Sequence, residues 1–131
     1  MSRNQLRSAS LFLTCCWMAT IFYLSSLHSI DIDLGFSAQD KLFHMAAYGV
    51  LGIFILGSMP LDDLGYNFNQ VALATFVATL YGITDEWHQA YVPGRSSDPL
   101  DVVADCIGAL LATLLARALI RRLRRATAQA T

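Results

Sequence analysis

DEWHQAYVPGRSSDPLDVVAD, residues 85–105, lies within and between two strongly apolar segments, and it carries Asp85, Glu86, His88, Arg95, Asp98, Asp101 and Asp105. A chain that crosses a membrane keeps ionisable groups in such places where they face a bundle interior, a water-filled cavity or one another. The stretch therefore predicts a concentrated polar site at one end of a hydrophobic helical bundle.

Working outward, four segments are predicted to span, at about residues 9–27, 42–59, 71–91 and 100–120. Each is close to the ~20 residues that a bilayer core requires. Polar or helix-breaking sequence separates them: HSIDIDLGFSAQD at 28–40, PLDDLGYNFNQ at 60–70 and VPGRSSDP at 92–99. Asp40 is placed to cap the second helix. Ser97 or Asp98 is placed to cap the fourth, with Pro99 in its first turn. Composition agrees, because the 131 residues are 55% hydrophobic and 15% charged, against roughly 25% charged in soluble domains. Mean hydropathy is +0.46. The expected fold class is all-α, a four-transmembrane-helix bundle in one domain over residues 1–131. No small-x-small cleavage site follows the first apolar run, so that run is expected to be retained as a helix.

Charge distribution orients the bundle. Arg3 and Arg7 precede the first segment, and Arg117, Arg121, Arg122, Arg124 and Arg125 sit at the end of the last, whereas the loops after segments one and three offer only Lys41 and Arg95. The positive-inside rule places both termini in the cytoplasm, with residues 28–40 and 92–99 outside. The loop at 60–70 fits less well, since it carries Asp62 and Asp63 without Lys or Arg. Tyr23, Trp87 and Tyr91 are expected at the outer interface. A net charge of -1, with the arginines gathered at the two ends, gives no reason to expect a nucleic-acid partner.

In this topology three helices bring polar groups to one end. Asp40, Lys41, His44 and Tyr48 come from the second, Asp85, Glu86, His88 and Gln89 from the third, and Asp98, Asp101 and Asp105 from the fourth. Four-residue spacing puts Asp40, His44 and Tyr48 on one face, and does the same for Asp85 with Gln89 and Asp101 with Asp105. Small residues continue these faces, with Ala74, Ala78 and Gly82 on the third helix and Gly108, Ala112 and Ala116 on the fourth. Such stripes let membrane helices approach closely. Asp105 lies roughly 9 Å into the fourth helix at 1.5 Å per residue, and an unpaired carboxylate there costs ~2.5–3.5 kcal/mol on insertion scales. Arg95 or Lys41 is the expected counter-charge.

The pattern DKxxHxxxY, followed by DExxQxYxPGRxxxxxD and DxxG, resembles the VanZ-like family of bacterial integral membrane proteins. The matching residues are Asp40, Lys41, His44 and Tyr48, then Asp85, Glu86, Gln89, Tyr91, Pro93 and Arg95, then Asp98, Asp101, Asp105 and Gly108. The chain departs at Asp105, where the family pattern has Asn, and so carries an additional carboxylate. The family takes its name from a protein associated with resistance to the glycopeptide teicoplanin. The resemblance implies a place in the cell envelope and the bacterial cytoplasmic (inner) membrane. It supplies no agreed reaction, and many members occur without resistance clusters.

The residues also admit plainer readings. The Asp and Arg set fits an ion-pair network that fixes helix register. His44 fits a hydrogen-bonded side chain of the bundle, His28 and His88 solvated interface residues, and Tyr48 a packed ring with a satisfied hydroxyl. Cys15, Cys16 and Cys106 fit buried thiols. Three functions remain open. A non-catalytic envelope protein would hold the phosphate or carboxylate of a lipid head group or cell-wall precursor with Arg95 and Lys41. A membrane enzyme would act on a lipid-linked substrate, with His44 or Glu86 as general base and Asp85, Asp101 and Asp105 binding a divalent metal. A proton-coupled transporter would use the carboxylates as a relay, against which stand the apolar cytoplasmic halves of the helices. No cofactor is required by the sequence, and neither a particular metal nor an oligomeric state follows from it. Beyond the bilayer, the partner expected is a lipid-linked or cell-wall precursor.

Overall fold

Four helices make up the computed structural model, which describes residues 2–27 and 39–129. They are α1 (Arg3–Ser25), α2 (Gln39–Gly57), α3 (Phe68–Gln89) and α4 (Pro99–Gln129), and there is no strand among the described residues. His28 and most of the expected outer segment at 28–40 lie outside those residues. Local chemistry sets the helix starts. Ser2 with Gln5 and Asn67 with Gln70 form capping boxes on α1 and α3, each satisfying two amides the helix leaves unpaired. Asp98 starts α4, accepting from the Leu100 amide at 2.9 Å while its own carbonyl takes the Asp101 amide. Pro99 needs no donor in that first turn. Asp40, expected as a cap, instead falls inside the first turn of α2.

α2 and α3 touch each other and both flanking helices, and α1 and α4 occupy opposite corners of the bundle. Small residues set the closest approaches. Gly49 and Gly52 of α2 face Gly108, Ala109, Ala112 and Thr113 of α4, and the Gly108 backbone rests on the backbone of Met45. α1 is held by two side chains that each reach a helix carbonyl: Trp17 donates to Ala47 at 2.8 Å, and Tyr81 donates to Met18 at 2.7 Å.

α1, α2 and α4 are long and apolar enough to cross a membrane. α3 has the length but not the mean hydropathy, which departs from the expected third span. The reason is local: Asn69 and Gln70 lie at one end of α3, and Asp85, Glu86, His88 and Gln89 at the other. Its outward face is nevertheless apolar. Leu73, Phe76, Val77, Leu80 and Ile83 are exposed, whereas Asp85, Glu86 and Gln89 are buried. At the carboxylate end, the polar groups that lower the average are turned into the bundle, whereas Asn69 at the other end is exposed. Leu11, Phe12, Phe22 and Leu115 extend the exposed apolar surface to α1 and α4, a surface suited to lipid rather than water.

The arginines gather at one end. Arg3 meets Asp63 at 3.3 Å, Arg7 donates to the Ser58 carbonyl at 3.2 Å, and Arg117 donates to the Tyr66 carbonyl at 3.1 Å. The Arg117 guanidinium also lies 3.6 Å from the centre of the Phe68 ring. The acidic α2–α3 loop thus sits among arginines of both terminal helices. That removes the awkwardness of a loop with Asp62 and Asp63 and no basic residue of its own.

Candidate functional site

The opposite end of the bundle holds the carboxylates, graded in exposure along the shared face of α2. Asp40 is exposed, His44 is largely covered and Tyr48 is buried. At the mouth, Lys41 Nζ joins three acids, at 2.8 Å from Asp98 Oδ2, 2.9 Å from Asp101 Oδ1 and 3.2 Å from Asp40 Oδ2. Lys41 and the Leu100 amide hold the Asp98 carboxyl below the usual carboxylate range. That group therefore stabilises the fold above the ordinary Asp pKa of ~3.9, and its contribution is lost as pH falls through the lowered value.

Beneath Lys41 sits His44. Its Nδ1 lies 2.9 Å from Asp105 Oδ1, and its Nε2 lies 3.9 Å from both Glu86 Oε1 and Asp101 Oδ2. Asp105 is fully buried. A carboxylate at Nδ1 calls for a proton there, and Nε2 is directed toward the two acids. Glu86 is anchored at its other oxygen, where Oε2 accepts from the Asp98 amide at 2.9 Å. Room for the Asp105 carboxylate comes from Gly82 on α3, where any Cβ would collide with it.

Four buried side-chain atoms here have no hydrogen-bond partner: Tyr48 Oη, Asp85 Oδ1, Glu86 Oε1 and Asp105 Oδ2. Buried polar atoms without partners are rare and expensive, costing about 1–3 kcal/mol each or more when charged. Tyr48 is the packed ring expected, and its hydroxyl is directed at the Asp85 carboxylate, just outside strict hydrogen-bond geometry. Gln89 reaches Asp85 Oδ2 at 3.2 Å, as their shared face predicts.

Arg95 lies elsewhere. It donates from Nε to the Leu27 carbonyl at 3.1 Å and from Nη2 to the Leu24 carbonyl at 3.0 Å, closing the C-terminal end of α1. A cation there suits the carbonyl end of α1. Of the two expected counter-charges, Lys41 meets the outer carboxylates and Arg95 does not. His88 also departs from the solvated position expected for it. It is half-buried, with Ser26 Oγ at 3.0 Å and the Phe22 ring stacked at 4.5 Å. Cys15 and Cys16 lie on the exposed apolar surface rather than in the core. The residues not foreseen are Ser25, 3.5 Å from Gln89, and Ser26. Two serines closing an apolar run were the available signal. Trp87 and Tyr91 contact each other and are exposed beside the site.

His44, Glu86 and Asp101, one from each of three helices, present ligand atoms within 4.8 Å of one another. Of Asp85, Asp101 and Asp105, the expected metal-binding oxygens, only Asp101 belongs to this group, and Asp105 partners His44 Nδ1. The arrangement can orient an imidazole, pass a proton between His44 and Glu86, or hold a cation.

The VanZ/LLP1 family model matches residues 10–121, and the chain belongs to that family. No protein of curated function and no solved structure matches it.

Proposed function

We propose that this member of the VanZ/LLP1 family works in the bacterial cytoplasmic membrane as an acid–base enzyme on a lipid-linked cell-envelope substrate. It spans four times, with both termini cytoplasmic and the carboxylate site at the outer leaflet. The observation that carries the reading is Glu86. Its Oε1 is buried, has no partner and faces His44 Nε2, while backbone and Asp105 hold the two side chains from behind. An acid and a base oriented by third groups, each with an unused atom directed into one space, is the arrangement expected of proton-transfer chemistry. A purely structural network would be expected to satisfy those atoms.

The roles follow from position. His44 Nε2 takes a proton from the substrate or from water, and Glu86 Oε1 receives or returns it. Asp105 holds His44 in one tautomer. Lys41 keeps Asp98 and Asp101 together at the mouth. Trp87 and Tyr91 set the site at head-group depth, where amphipathic rings collect. A non-catalytic protein gripping an anionic head group through Lys41 and Arg95 has less support. Lys41 already serves three carboxylates, and Arg95 serves two carbonyls.

The test compares cells lacking the protein with cells making it natively or as Glu86→Gln at equal abundance. Lipid-linked envelope intermediates are profiled by mass spectrometry. The native protein should change the level of at least one intermediate, and Glu86→Gln should leave the profile of the deletion. A Glu86→Gln profile identical to the native one would remove Glu86 from the chemistry. Any link to glycopeptide resistance would appear as a parallel change in teicoplanin susceptibility.

A further inference from the structure

We propose that His44 Nε2, Glu86 Oε1 and Asp101 Oδ2 form a three-ligand seat for a divalent transition-metal ion, with zinc or manganese as the fitting class. The inference rests on the same centre as the function above but not on its substrate.

Geometry is the first argument. His44 Nε2 lies 3.9 Å from each carboxylate oxygen, and the ligand atoms of the three residues lie within 4.8 Å of one another. A point equidistant from atoms so spaced lies at most about 2.5 Å from each, against ~2.0–2.2 Å for nitrogen and oxygen ligands of zinc. Rotamer adjustments of a few tenths of an ångström close the difference. Each ligand comes from a different helix, so an ion there would tie α2, α3 and α4 together at the open end of the bundle.

The second argument is independent of the clustering of acids. Glu86 is only 4% exposed, and its Oε1 has no partner while its Oε2 is fixed by the Asp98 amide. That buried oxygen stands 3.9 Å from His44 Nε2, beyond hydrogen-bond reach, and a cation between the two would give both a partner. Orientation of the imidazole is the third argument. Asp105 Oδ1 at 2.9 Å from Nδ1 reproduces the carboxylate–histidine arrangement that fixes the tautomer of metal-bound histidines. Charge is the fourth. Asp40, Asp85, Glu86, Asp98, Asp101 and Asp105 share a single lysine, and Lys41 reaches only Asp40, Asp98 and Asp101. Two positive charges at the seat would offset the excess in a medium where unpaired charge is costly. The imidazole favours zinc over magnesium or calcium, and the two carboxylates keep manganese within the fitting class. Three protein ligands leave positions open toward the mouth below Lys41, as catalytic metal sites do.

The experiment uses the full chain, purified in detergent, freed of any affinity tag and stripped with chelator. Equilibrium dialysis against zinc or manganese, with the bound metal measured by mass spectrometry, should give one ion per chain. Addition of metal should raise the thermal unfolding temperature, since an ion that binds only the folded chain stabilises it. Glu86→Gln and Asp101→Asn should each weaken binding at least about tenfold. Asp105→Asn should weaken it about 10–100-fold through the orientation of His44. Asp63→Asn, at the arginine end, should bind like the native chain. A native chain that retains no ion and gains no thermal stability overturns the proposal, whatever the variants do. Binding that Glu86→Gln and Asp101→Asn leave intact overturns it as well. Metal binding without any change in envelope intermediates would keep the seat and remove the enzymatic reading. A change in intermediates without metal binding would do the reverse.

Discussion

Asp40, Asp98 and Asp101 each place a carboxylate oxygen within 3.2 Å of the Lys41 ammonium, so one cation holds three acids together at the mouth of the site. Removing it leaves Asp101, which is buried, without its main counter-charge. Hydrogen bonds to charged groups are worth about 1.5–3 kcal/mol, and Lys41→Met should lower stability by about that amount in detergent unfolding. Lys41→Met and Asp101→Asn should be strongly non-additive, because each removes the same contact. Arg95→Ala should also destabilise, through the end of α1, but its effect should simply add to that of Asp101→Asn. Coupling between Arg95 and Asp101 as large as that between Lys41 and Asp101 would contradict these assignments. The sequence made Lys41 and Arg95 equal candidates because both are lone cations near the acids. What separates them is a partner no side-chain pattern displays: the carbonyls of Leu24 and Leu27. The four-residue spacing of Asp101 and Asp105, and of Asp40, His44 and Tyr48, was legible because periodicity alone assigns a helical face.

At the scale of elements, the α2–α4 contact is set by glycines whose missing side chains are replaced by the neighbouring helix. At Gly108 a Cβ would run into the carbonyl and Cα of Met45, which cannot move without moving α2. At Gly57 a Cβ would meet only the side chain of Ser10, which can rotate away. Overpacking costs typically ~1–3 kcal/mol. Gly108→Ala should therefore lower the unfolding midpoint and the amount of protein in the membrane, and Gly57→Ala should change little. Equal tolerance at the two positions would mean that the α2–α4 seam is looser than described. The sequence displayed this seam as a stripe of small residues on α4. It did not display that Gly82 on α3 serves a different purpose, since only the fold brings the Asp105 carboxylate against it. Nor did average hydropathy describe α3, because Asp85, Glu86 and Gln89 face inward while Leu73, Phe76, Leu80 and Ile83 face outward.

For the whole molecule, arginines of both terminal helices and the α2–α3 loop share one end, and the carboxylates lie at the other. With the arginine end cytoplasmic, residues 92–99 face outside. A single cysteine at Ser96, in a background lacking Cys15, Cys16 and Cys106, should react with an impermeant thiol reagent in intact cells. Labelling that requires lysis would reverse the orientation and place the site in the cytoplasm. The central claim is that the three-helix cluster is a working centre rather than a scaffold, and His44 tests it most directly. His44→Gln can still donate a hydrogen bond to Asp105, but an amide takes up no proton near neutral pH and offers no imidazole nitrogen. The measurement is membrane abundance and unfolding temperature of His44→Gln, alongside its ability to restore the envelope-intermediate profile of a deletion strain. The account predicts near-native abundance and stability with loss of restoration, and a folded, abundant His44→Gln protein that restores the profile fully would contradict it.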